Sequence, residues 1–427
     1  MLVTAASASR AVASRQRVAA ARRFATVVDA TGFKVAAVDR GEATTSISVV
    51  AKAGSRYEPL PGLAHVLKSF TFKTTGSKSA LRTVREAELY GGLLSASLTR
   101  EHVILTAEFL RGDEERFAGL LAQTLSSTKY LNHELHEDVL PVVSSEAAEA
   151  ISSPAVKAIE LAHAAAFRTG LGASLYASPH VAVPADAVKE FARSAFSKGN
   201  VAVVAQGISA DTLAHVFQPT LKDAAAPTSS ASKYFGAETR VADGHGQAVF
   251  VGFGTSGAAT PELEVLAGLL SATPSVKWSK GVAPLAKTVP EGASVETLLY
   301  SYSDAALFGF LIQGATPTVV SAATKAAVAA LKAVASSAPA AEDLKSGIAK
   351  AKFRAAQATE GRDGVVASLA SGLLGGPSGA LESTLSALGG VNASALSKAA
   401  AALTKAKPTF VAVGNVHELP YADEVGL

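Results

Sequence analysis

Residues 62–75 read GLAHVLKSFTFKTT, and the interpretation of the whole chain depends on this stretch. Its pattern predicts a helix over about residues 62–73, on which His65, Lys68 and Ser69 lie within about one turn of each other. Only the histidine of these three is a common metal ligand. Taken alone, the stretch favours a His65 that packs or forms hydrogen bonds inside the fold.

Zinc-assisted hydrolysis needs other residues at these positions. Two histidines one helical turn apart bind the ion, and a glutamate in that turn takes a proton from the metal-bound water, in the order H-x-x-E-H. The chain keeps His65, but Lys68 stands at the position of the base and Ser69 at that of the second ligand. An ammonium also repels a metal ion. The sequence therefore predicts no catalytic residue, no bound metal and no cofactor.

Length and composition narrow the class of protein. The chain has 427 residues, enough for two domains, and is 48% hydrophobic and 18% charged. It contains no cysteine, which excludes disulfides, cysteine-held iron–sulfur clusters and cysteine nucleophiles.

The first 24 residues are basic and carry no acid. Their five arginines are Arg10, Arg15, Arg17, Arg22 and Arg23. Interleaved with alanine, serine and valine, they predict a mitochondrial transit peptide, with cleavage after Phe24, rather than a secretory signal. A disordered basic tail and a membrane-surface helix are the alternatives. The remaining chain is nearly neutral, so nucleic acid is not an expected partner.

The order of sequence patterns repeats in the two halves. Each half runs through strands, helices, strands and helices to a closing strand, KGNVAVVAQGIS in the first and KPTFVAVGNVHELP in the second. Residues 221–240 are small and polar, as in a linker. We predict an α+β fold of two homologous domains, residues 25–220 and 241–427, each a sandwich of helices and a mixed sheet.

Strand pairing is predicted from neighbouring patterns. FKVAAVDR (33–40) and TTSISVVAKAGSRYE (44–58) flank Gly41 and predict a hairpin. GLLSASLTRE and HVILTAEFLRGD predict two more strands, and VETLLYSYSD and AALFGFLIQ predict a strand pair. Two long apolar stretches are interrupted, residues 305–324 by Gly314 and Pro317 and residues 364–381 by Gly-Gly-Pro, so neither predicts a transmembrane helix.

Two further motifs contain residue types that occur in ligand-binding sites. Residues 252–257, GFGTSG, follow a predicted strand, but the acidic residue that a dinucleotide site needs about 20 positions on is absent. They predict a glycine-rich turn. NHELHED places His133 and His136 among acids, which is more typical of a solvated helix start than of a metal site.

Several stretches resemble one family. GLAHVLKSFTFKTT resembles the segment of the mitochondrial processing peptidase and complex III core protein family that reads roughly G-x-A-H-F-L-E-H-M-x-F-K-G-T. SYSDAALFGF resembles its Y-S-D-x-G-L-F-G pattern, with Ala306 in place of glycine. ELYGGLLSASLTREHVILTAEFL resembles the family's strand pair after the active-site helices. LAHAAAFRTGLGASLYAS resembles a helix and loop of the family, and HELPYADEV its C-terminal tail. Together they cover essentially the whole chain after residue 25.

The resemblance implies a set of vestigial zinc-site positions. In the family a glutamate further along the chain supplies the third ligand, and it corresponds to Glu146. His65, Lys68, Ser69 and Glu146 are then the four positions of the eroded site. The catalytic peptidase subunit should keep the full motif, and its non-catalytic partner carries a glycine-rich loop that residues 269–287 lack. The resemblance favours a core subunit of ubiquinol–cytochrome c reductase, complex III, of the more eroded of its two types.

A core subunit of this kind implies partners and a location. A core protein 1 homologue would face this chain as the second of two bowls, with cytochrome b, cytochrome c1 and the Rieske protein in a dimeric complex. The chain would be peripheral to the mitochondrial inner membrane, on the matrix side. The alternative is a non-catalytic, presequence-binding subunit of a processing peptidase. Its acidic cavity wall would use Glu134, Glu137, Asp138, Glu146 and Glu149.

Overall fold

The computed structural model describes residues 26–30, 32–274, 283–376 and 381–427, so the predicted transit-peptide arginines lie outside the described residues. The first half contains β1 (Thr26–Ala30), β2 (Phe33–Val38), β3 (Thr44–Ala51), α1 (Leu63–Ser69), α2 (Ala80–Leu89), β4 (Leu93–Leu98), β5 (Val103–Leu110), α3 (Glu114–Ser127), α4 (Asn132–Glu134), α5 (Leu140–Ser152), α6 (Pro154–Phe167), α7 (Ala185–Ala195), β6 (Val201–Gln206) and α8 (Ala210–Phe217). A π-helical turn, Leu135–Val139, joins α4 to α5.

The second half repeats this succession of strands and helices. It contains β7 (Glu238–Ala242), β8 (Gln247–Ser256), α9 (Pro261–Leu269), α10 (Pro284–Thr288), β9 (Ala293–Ser301), β10 (Ala305–Gly314), α11 (Pro317–Ser336), α12 (Ala341–Ala358), α13 (Arg362–Leu373), α14 (Leu381–Gly389), α15 (Ala393–Lys405) and β11 (Thr409–Gly414).

The strands of the first half form one mixed sheet in the order β1-β2-β6-β3-β5-β4. The late strand β6 lies between β2 and β3, parallel to the former and antiparallel to the latter. The predicted hairpin of β2 with β3 is therefore wrong, and β2 forms its hairpin with β1. The physical reason is the sequence VAVVAQ of β6: all six residues are buried, so this strand belongs in the sheet interior with a partner on each side.

The second sheet has the order β7-β11-β8-β10-β9. Its closing strand β11 is parallel to β7 and antiparallel to β8, as β6 is to β2 and β3 in the first sheet. The order matches β2-β6-β3-β5-β4 strand for strand, and the predicted pairs β4–β5 and β9–β10 are confirmed as antiparallel neighbours. The predicted α+β fold with two similar sheet-and-helix layers is confirmed.

Each sheet has a helix-covered core on one face. In the first half α1, α3, α7 and α8 contribute buried side chains to this core. In the second half α9, α11, α12, α14 and α15 do the same.

Each half contributes one helix to the other half, where it packs on the sheet face opposite the main core. α6 belongs to the first half by sequence, but Ala158, Ala162 and Ala166 pack against Phe250 and Val411 of the second sheet. α13 of the second half packs in return against β6 of the first sheet. Small alanine side chains on α6 allow this close approach of helix to sheet. The exchange buries apolar surface of each half against the other and makes one interlocked body.

Polar contacts accompany the exchanged helices. Arg362, at the start of α13, forms ion pairs with Glu108 at 3.1 Å and Glu42 at 3.0 Å. His163 on α6 is buried, and its Nε2 lies 2.7 Å from the hydroxyl of Tyr302. These groups connect residues that are more than a hundred positions apart in the chain, so they fix how the two halves pack.

Residues 305–324 divide as predicted into a strand, β10, and the start of a helix, α11. Among the described residues, α11 is the one helix whose length and mean hydropathy would suit a membrane span, and 33% of its most apolar window is buried. Its buried side chains, among them Val320, Ala327 and Leu331, belong to the core of the second half.

The glycine motif at residues 252–257 is a turn only at its end: Gly252 and Gly254 lie inside β8, and Gly257, with a φ of +84°, follows the strand. A Cβ on Gly254 would lie 2.2 Å from Cδ2 of Tyr234, and one on Gly252 would lie 2.5 Å from Cε1 of Phe250. Both glycines therefore make room for aromatic rings on the sheet. This packing accounts for the motif without a nucleotide.

Candidate functional site

Helix α1 carries the residues of the opening stretch, and its N-terminus is capped by Glu58. The Glu58 carboxylate accepts hydrogen bonds from the backbone N–H groups of Gly62 at 3.0 Å and Ala64 at 2.9 Å, which would otherwise lack partners in the first turn. Burial of this carboxylate raises its pKa to about 7, although the backbone N–H groups oppose the shift. The signal that sequence reasoning missed was an acid four residues ahead of the helix glycine.

Gly62 is required at the start of α1 for two reasons. Its φ of +86° lies in the left-handed region, and a Cβ there would lie 2.6 Å from the Cβ of Ala177. This close approach brings the backbone of Ala177 next to α1. Leu63, Val66 and Leu67 bury the opposite side of the helix in the core, so His65 and Lys68 are presented toward a second helix.

That second helix is α5, which supplies Glu146. Its Oε2 lies 2.6 Å from Nε2 of His65, and the Nζ of Lys68 lies 2.7 Å from Oε1 and 2.6 Å from Oε2. The side chain of His65 is 3% exposed, that of Lys68 17% and that of Glu146 37%. The structure thus brings together three of the four vestigial positions predicted from sequence.

The fourth position, Ser69, does not join this group. Its Oγ is buried and has no hydrogen-bond partner among the described residues. Ser69 also does not line the cleft into which His65, Lys68 and Glu146 face. Serine is too short to reach what a histidine would reach from the same backbone position.

The tautomer of His65 follows from its two partners. The backbone N–H of Ala177 donates to Nδ1 at 3.1 Å, so Nδ1 is the unprotonated nitrogen. Nε2 must then carry the proton and donate it to Glu146. Burial lowers the pKa of His65, and the Lys68 charge adds to this, while Glu146 opposes it. His65 is accordingly a neutral hydrogen-bond donor toward the cleft.

Glu146 is an ionised acceptor in this network. Burial by itself raises its pKa, but the hydrogen bonds from Lys68 and His65 outweigh burial and hold the pKa below its ordinary value. Its carboxylate therefore pairs with the ammonium of Lys68 while accepting from the imidazole.

The cleft in front of these groups has a volume of about 540 Å³. Its other lining residues are Ser97, Leu98, Glu149, Ala150, Ser153, Val156, Leu175 and Tyr176. The ring of Tyr176 meets that of His65 edge-on, with 5.8 Å between centroids. Tyr176 and Ala177 lie near the end of the stretch LAHAAAFRTGLGASLYAS (161–178), but nothing in its sequence marked them as neighbours of His65.

The acids predicted to line one cavity wall are separated in the structure. Glu146 and Glu149 line the cleft. Glu134 is buried and accepts from the backbone N–H of Thr74 at 3.1 Å, while Asp138 pairs with Lys73 at 3.2 Å. Glu137 is exposed and is not among the cleft residues. The predicted five-residue acidic wall is therefore reduced to two glutamates.

These residues do not fit a zinc ion. The Nε2 lone pair that would bind metal is replaced by a proton, the carboxylate is already paired with an ammonium, and the second ligand is absent. Among the residues that the structure describes, no group of three or more histidine, aspartate or glutamate side chains is placed to hold a metal. This holds also for His133 and His136, since Nδ1 of His136 bonds to the carbonyl of Asn132 at 2.8 Å.

A sequence model described as Insulinase (Peptidase family M16) matches residues 34–178, which include α1 and α5. The chain is 46% identical to the mitochondrial cytochrome b-c1 complex subunit 2 of Cryptococcus neoformans var. grubii, with 95% of each chain covered. It is 43% identical to that of Neurospora crassa, covering 93% of this chain and 90% of the relative. The chain is 38% identical to the mitochondrial cytochrome b-c1 complex subunit 2 of Yarrowia lipolytica, covering 96% of this chain and 98% of the relative.

A solved structure has the same fold. A chain of the Complex III2 structure from Candida albicans, Inz-5 bound, superimposes with a TM-score of 0.80 at 16% sequence identity, covering 94% of this chain and 98% of the other.

Proposed function

We propose that this chain, which belongs to the family of mitochondrial cytochrome b-c1 complex subunit 2 proteins, is a structural core subunit of complex III that has no catalytic activity of its own. One observation carries the absence of catalysis: the Lys68 ammonium sits on both carboxylate oxygens of Glu146, where a peptidase would need a metal-bound water and a free base. The proposed subunit is core protein 2, the core-subunit type whose zinc motif departs further from that of the peptidase.

In this role the protein is peripheral to the mitochondrial inner membrane, on the matrix side. Its partners are a core protein 1 homologue and the cytochrome b, cytochrome c1 and Rieske subunits of a dimeric complex. Support comes from the near-complete coverage of relatives that are named for this complex. Exposed apolar side chains suit burial against partners, among them Leu89, which is 77% exposed, and Leu93, which is 71% exposed.

The test is native purification of the tagged chain from its own mitochondria in mild detergent, followed by a visible spectrum and a zinc determination on one fraction. We expect haem b and haem c bands in stoichiometric amounts. The matched control is the His65→Ala variant: equal zinc contents in the two preparations would show that no zinc belongs to this site. Zinc that disappears with His65→Ala would contradict the proposal.

A second candidate function is a presequence-binding, non-catalytic subunit of a processing peptidase. The observation that favours it is the open cleft that Glu146 and Glu149 line, since a basic peptide needs an acidic wall. The same purification separates the candidates, because this one requires a haem-free heterodimer that cleaves presequences.

Residues 1–24 are proposed to be a transit peptide that is removed on import. N-terminal sequencing of the natively purified subunit tests this, and a mature protein beginning at Ala25 is the expected result. A start at Met1 or Leu2 would contradict it.

We place the boundary between two domains, residues 25–220 and 241–427, in the linker at 221–240. The structure describes no helix or strand from residue 218 to residue 237, and Ala225 is exposed there, while β7 begins at Glu238 and includes the last three residues of the proposed linker. A protease site inserted after Ala225 should be cut readily in the folded protein. Because α6 and α13 are exchanged, the two fragments should remain associated after cutting, as size-exclusion chromatography can show.

A further inference from the structure

We propose that Lys68 replaces the metal ion itself: its ammonium is a tethered cation that holds Glu146 and His65 in the arrangement of metal ligands. This inference rests on the proposed absence of catalysis and deepens it. It concerns how the site stays ordered without a metal, and it is tested on the isolated full chain. Its failure would leave the co-purification result untouched.

The first support is geometric. In a zinc site a carboxylate and an imidazole converge on one cation. Here Glu146 presents both oxygens to one Nζ atom, at 2.7 and 2.6 Å, and the imidazole of His65 donates to Oε2 of the same carboxylate. Lys68 and His65 are three residues apart on α1, so one helical turn delivers both the cation and the imidazole to Glu146.

The second support is the charge balance of a partly buried site. Glu146 lies beside a His65 that is 3% exposed and neutral, so the imidazole adds no positive charge. Lys68 is the cation bonded to Glu146 in the structure, and its own side chain is 17% exposed. A carboxylate in such a place needs a cation or it loses part of its hydration without compensation. In a metallopeptidase the ion meets that need.

The third support is the orientation of His65. The N–H of Ala177 fixes the proton on Nε2, which gives Glu146 a donor where a metal-bound imidazole would offer a lone pair. The imidazole and the lysine are therefore matched to each other: one donates to the carboxylate and the other neutralises it.

The experiment restores the missing ligand with and without the lysine. Ser69→His alone supplies three ligands but keeps Lys68, whereas Ser69→His/Lys68→Met supplies them and removes the ammonium. Zn²⁺ is titrated into each purified full chain by calorimetry at neutral pH. The tautomer of His65 must change in both variants, so its cost cancels in the comparison.

We expect Ser69→His/Lys68→Met to bind Zn²⁺ about 10- to 100-fold more tightly than Ser69→His, because the variant no longer places a like charge a few ångströms from the ion. The matched control is Ser69→His/Lys73→Met, which removes a nearby lysine that pairs with Asp138 instead. It should bind like Ser69→His. Adding Glu146→Gln to the tight binder should abolish the gain.

Two results of the titration would overturn the inference. Equal zinc affinities of Ser69→His and Ser69→His/Lys68→Met would show that Lys68 does not occupy the cation position. Absence of zinc binding by the double variant, with its circular dichroism unchanged, would show that His65 and Glu146 are not held as ligands.

A second measurement needs no histidine at residue 69. Melting temperatures of Lys68→Met, Glu146→Gln and their combination form a double-mutant cycle. If the ammonium is the cation for Glu146, Lys68→Met should lower the melting temperature by about 2 °C or more, and the combination should lower it by less than the two changes added. Strictly additive shifts would overturn the inference.

Discussion

The guanidinium of Arg56, in the first half of the chain, forms a bidentate ion pair with the carboxylate of Asp304 in the second half. The Nη1–Oδ1 distance is 2.8 Å and the Nη2–Oδ2 distance is 2.6 Å. Nη1 also donates to Glu101 at 2.8 Å. Arg56 is 8% exposed, as is Glu101. One buried cation thus joins an acid from each half, and the bidentate geometry fixes their relative orientation.

Replacing Arg56 by methionine should lower the free energy of unfolding by about 3 kcal/mol, because buried Glu101 and half-buried Asp304, whose side chain is 31% exposed, would both lose their cation. Urea unfolding followed by circular dichroism measures this change. The control Arg193→Met removes an exposed arginine whose contact with Glu190 is 3.6 Å long, and it should change stability by less than about 0.5 kcal/mol. Similar losses of stability in the two variants would contradict the role of Arg56 as a buried ionic link between the two halves.

Glu58 should make stability fall as the pH rises from about 4.5 to about 7, because its pKa in the folded protein is about 7 against 4.5 for the free side chain. In that window the folded state holds a proton that the unfolded chain has lost, so acid favours folding through this group. Glu58→Gln should remove this contribution, as urea unfolding over that pH range can show.

The control for Glu58 is Glu88→Gln, which removes a carboxylate from the exposed surface of α2. The difference between the two variants isolates the capping carboxylate from every other titrating group. Identical pH profiles of the two variants would mean that the proton is not taken up at Glu58.

Tyr302→Phe should destabilise the protein by about 1 to 3 kcal/mol, because it leaves Nε2 of buried His163 without its donor. Nδ1 of His163 lies 2.8 Å from the carbonyl of Ile159 and donates to it, so Nε2 is the acceptor. Burial lowers the pKa of His163 to about 3, and the imidazole is therefore neutral at physiological pH. Thermal unfolding measures the loss.

The control for Tyr302 is Tyr421→Phe, which deletes a hydroxyl from a ring that is 46% exposed. It should leave the melting temperature nearly unchanged. If Tyr302→Phe is equally neutral, the hydrogen bond to His163 does not hold the two halves together.

Gly254→Ala should destabilise the protein by about 1 to 3 kcal/mol, because the new Cβ would collide with the ring of Tyr234. The control Gly119→Ala lies in α3 with open space around it and should stabilise the helix by about 0.5 to 1 kcal/mol. Chemical unfolding of both variants is the measurement. A stable Gly254→Ala protein would remove the packing explanation of the motif.

The sequence by itself determined which residues stand at positions 68 and 69. A lysine and a serine, where a zinc-peptidase motif has its base and its second histidine, disfavour zinc chemistry by residue identity alone. The doubled arrangement of strands and helices was also readable, because a buried closing strand recurs at the end of each half and hydrophobic periodicity is local. The pair β9–β10 was predicted because its strands are neighbours in the sequence, and the pair β4–β5 was predicted from the family resemblance.

Only the tertiary structure decided what the remaining residues do. The insertion of β6 between β2 and β3 joins strands about 150 to 170 residues apart, and no local pattern encodes such a pairing. The exchange of α6 and α13 also cannot be predicted from the sequence, because an alanine-rich helix can pack against either sheet. The partners of Lys68 and the tautomer of His65 depend on Glu146 and Ala177, which α5 and a distant loop bring to α1. The type of residue at each position is given directly by the sequence. The contacts of a side chain depend on distant chain segments and are fixed only when those segments pack together.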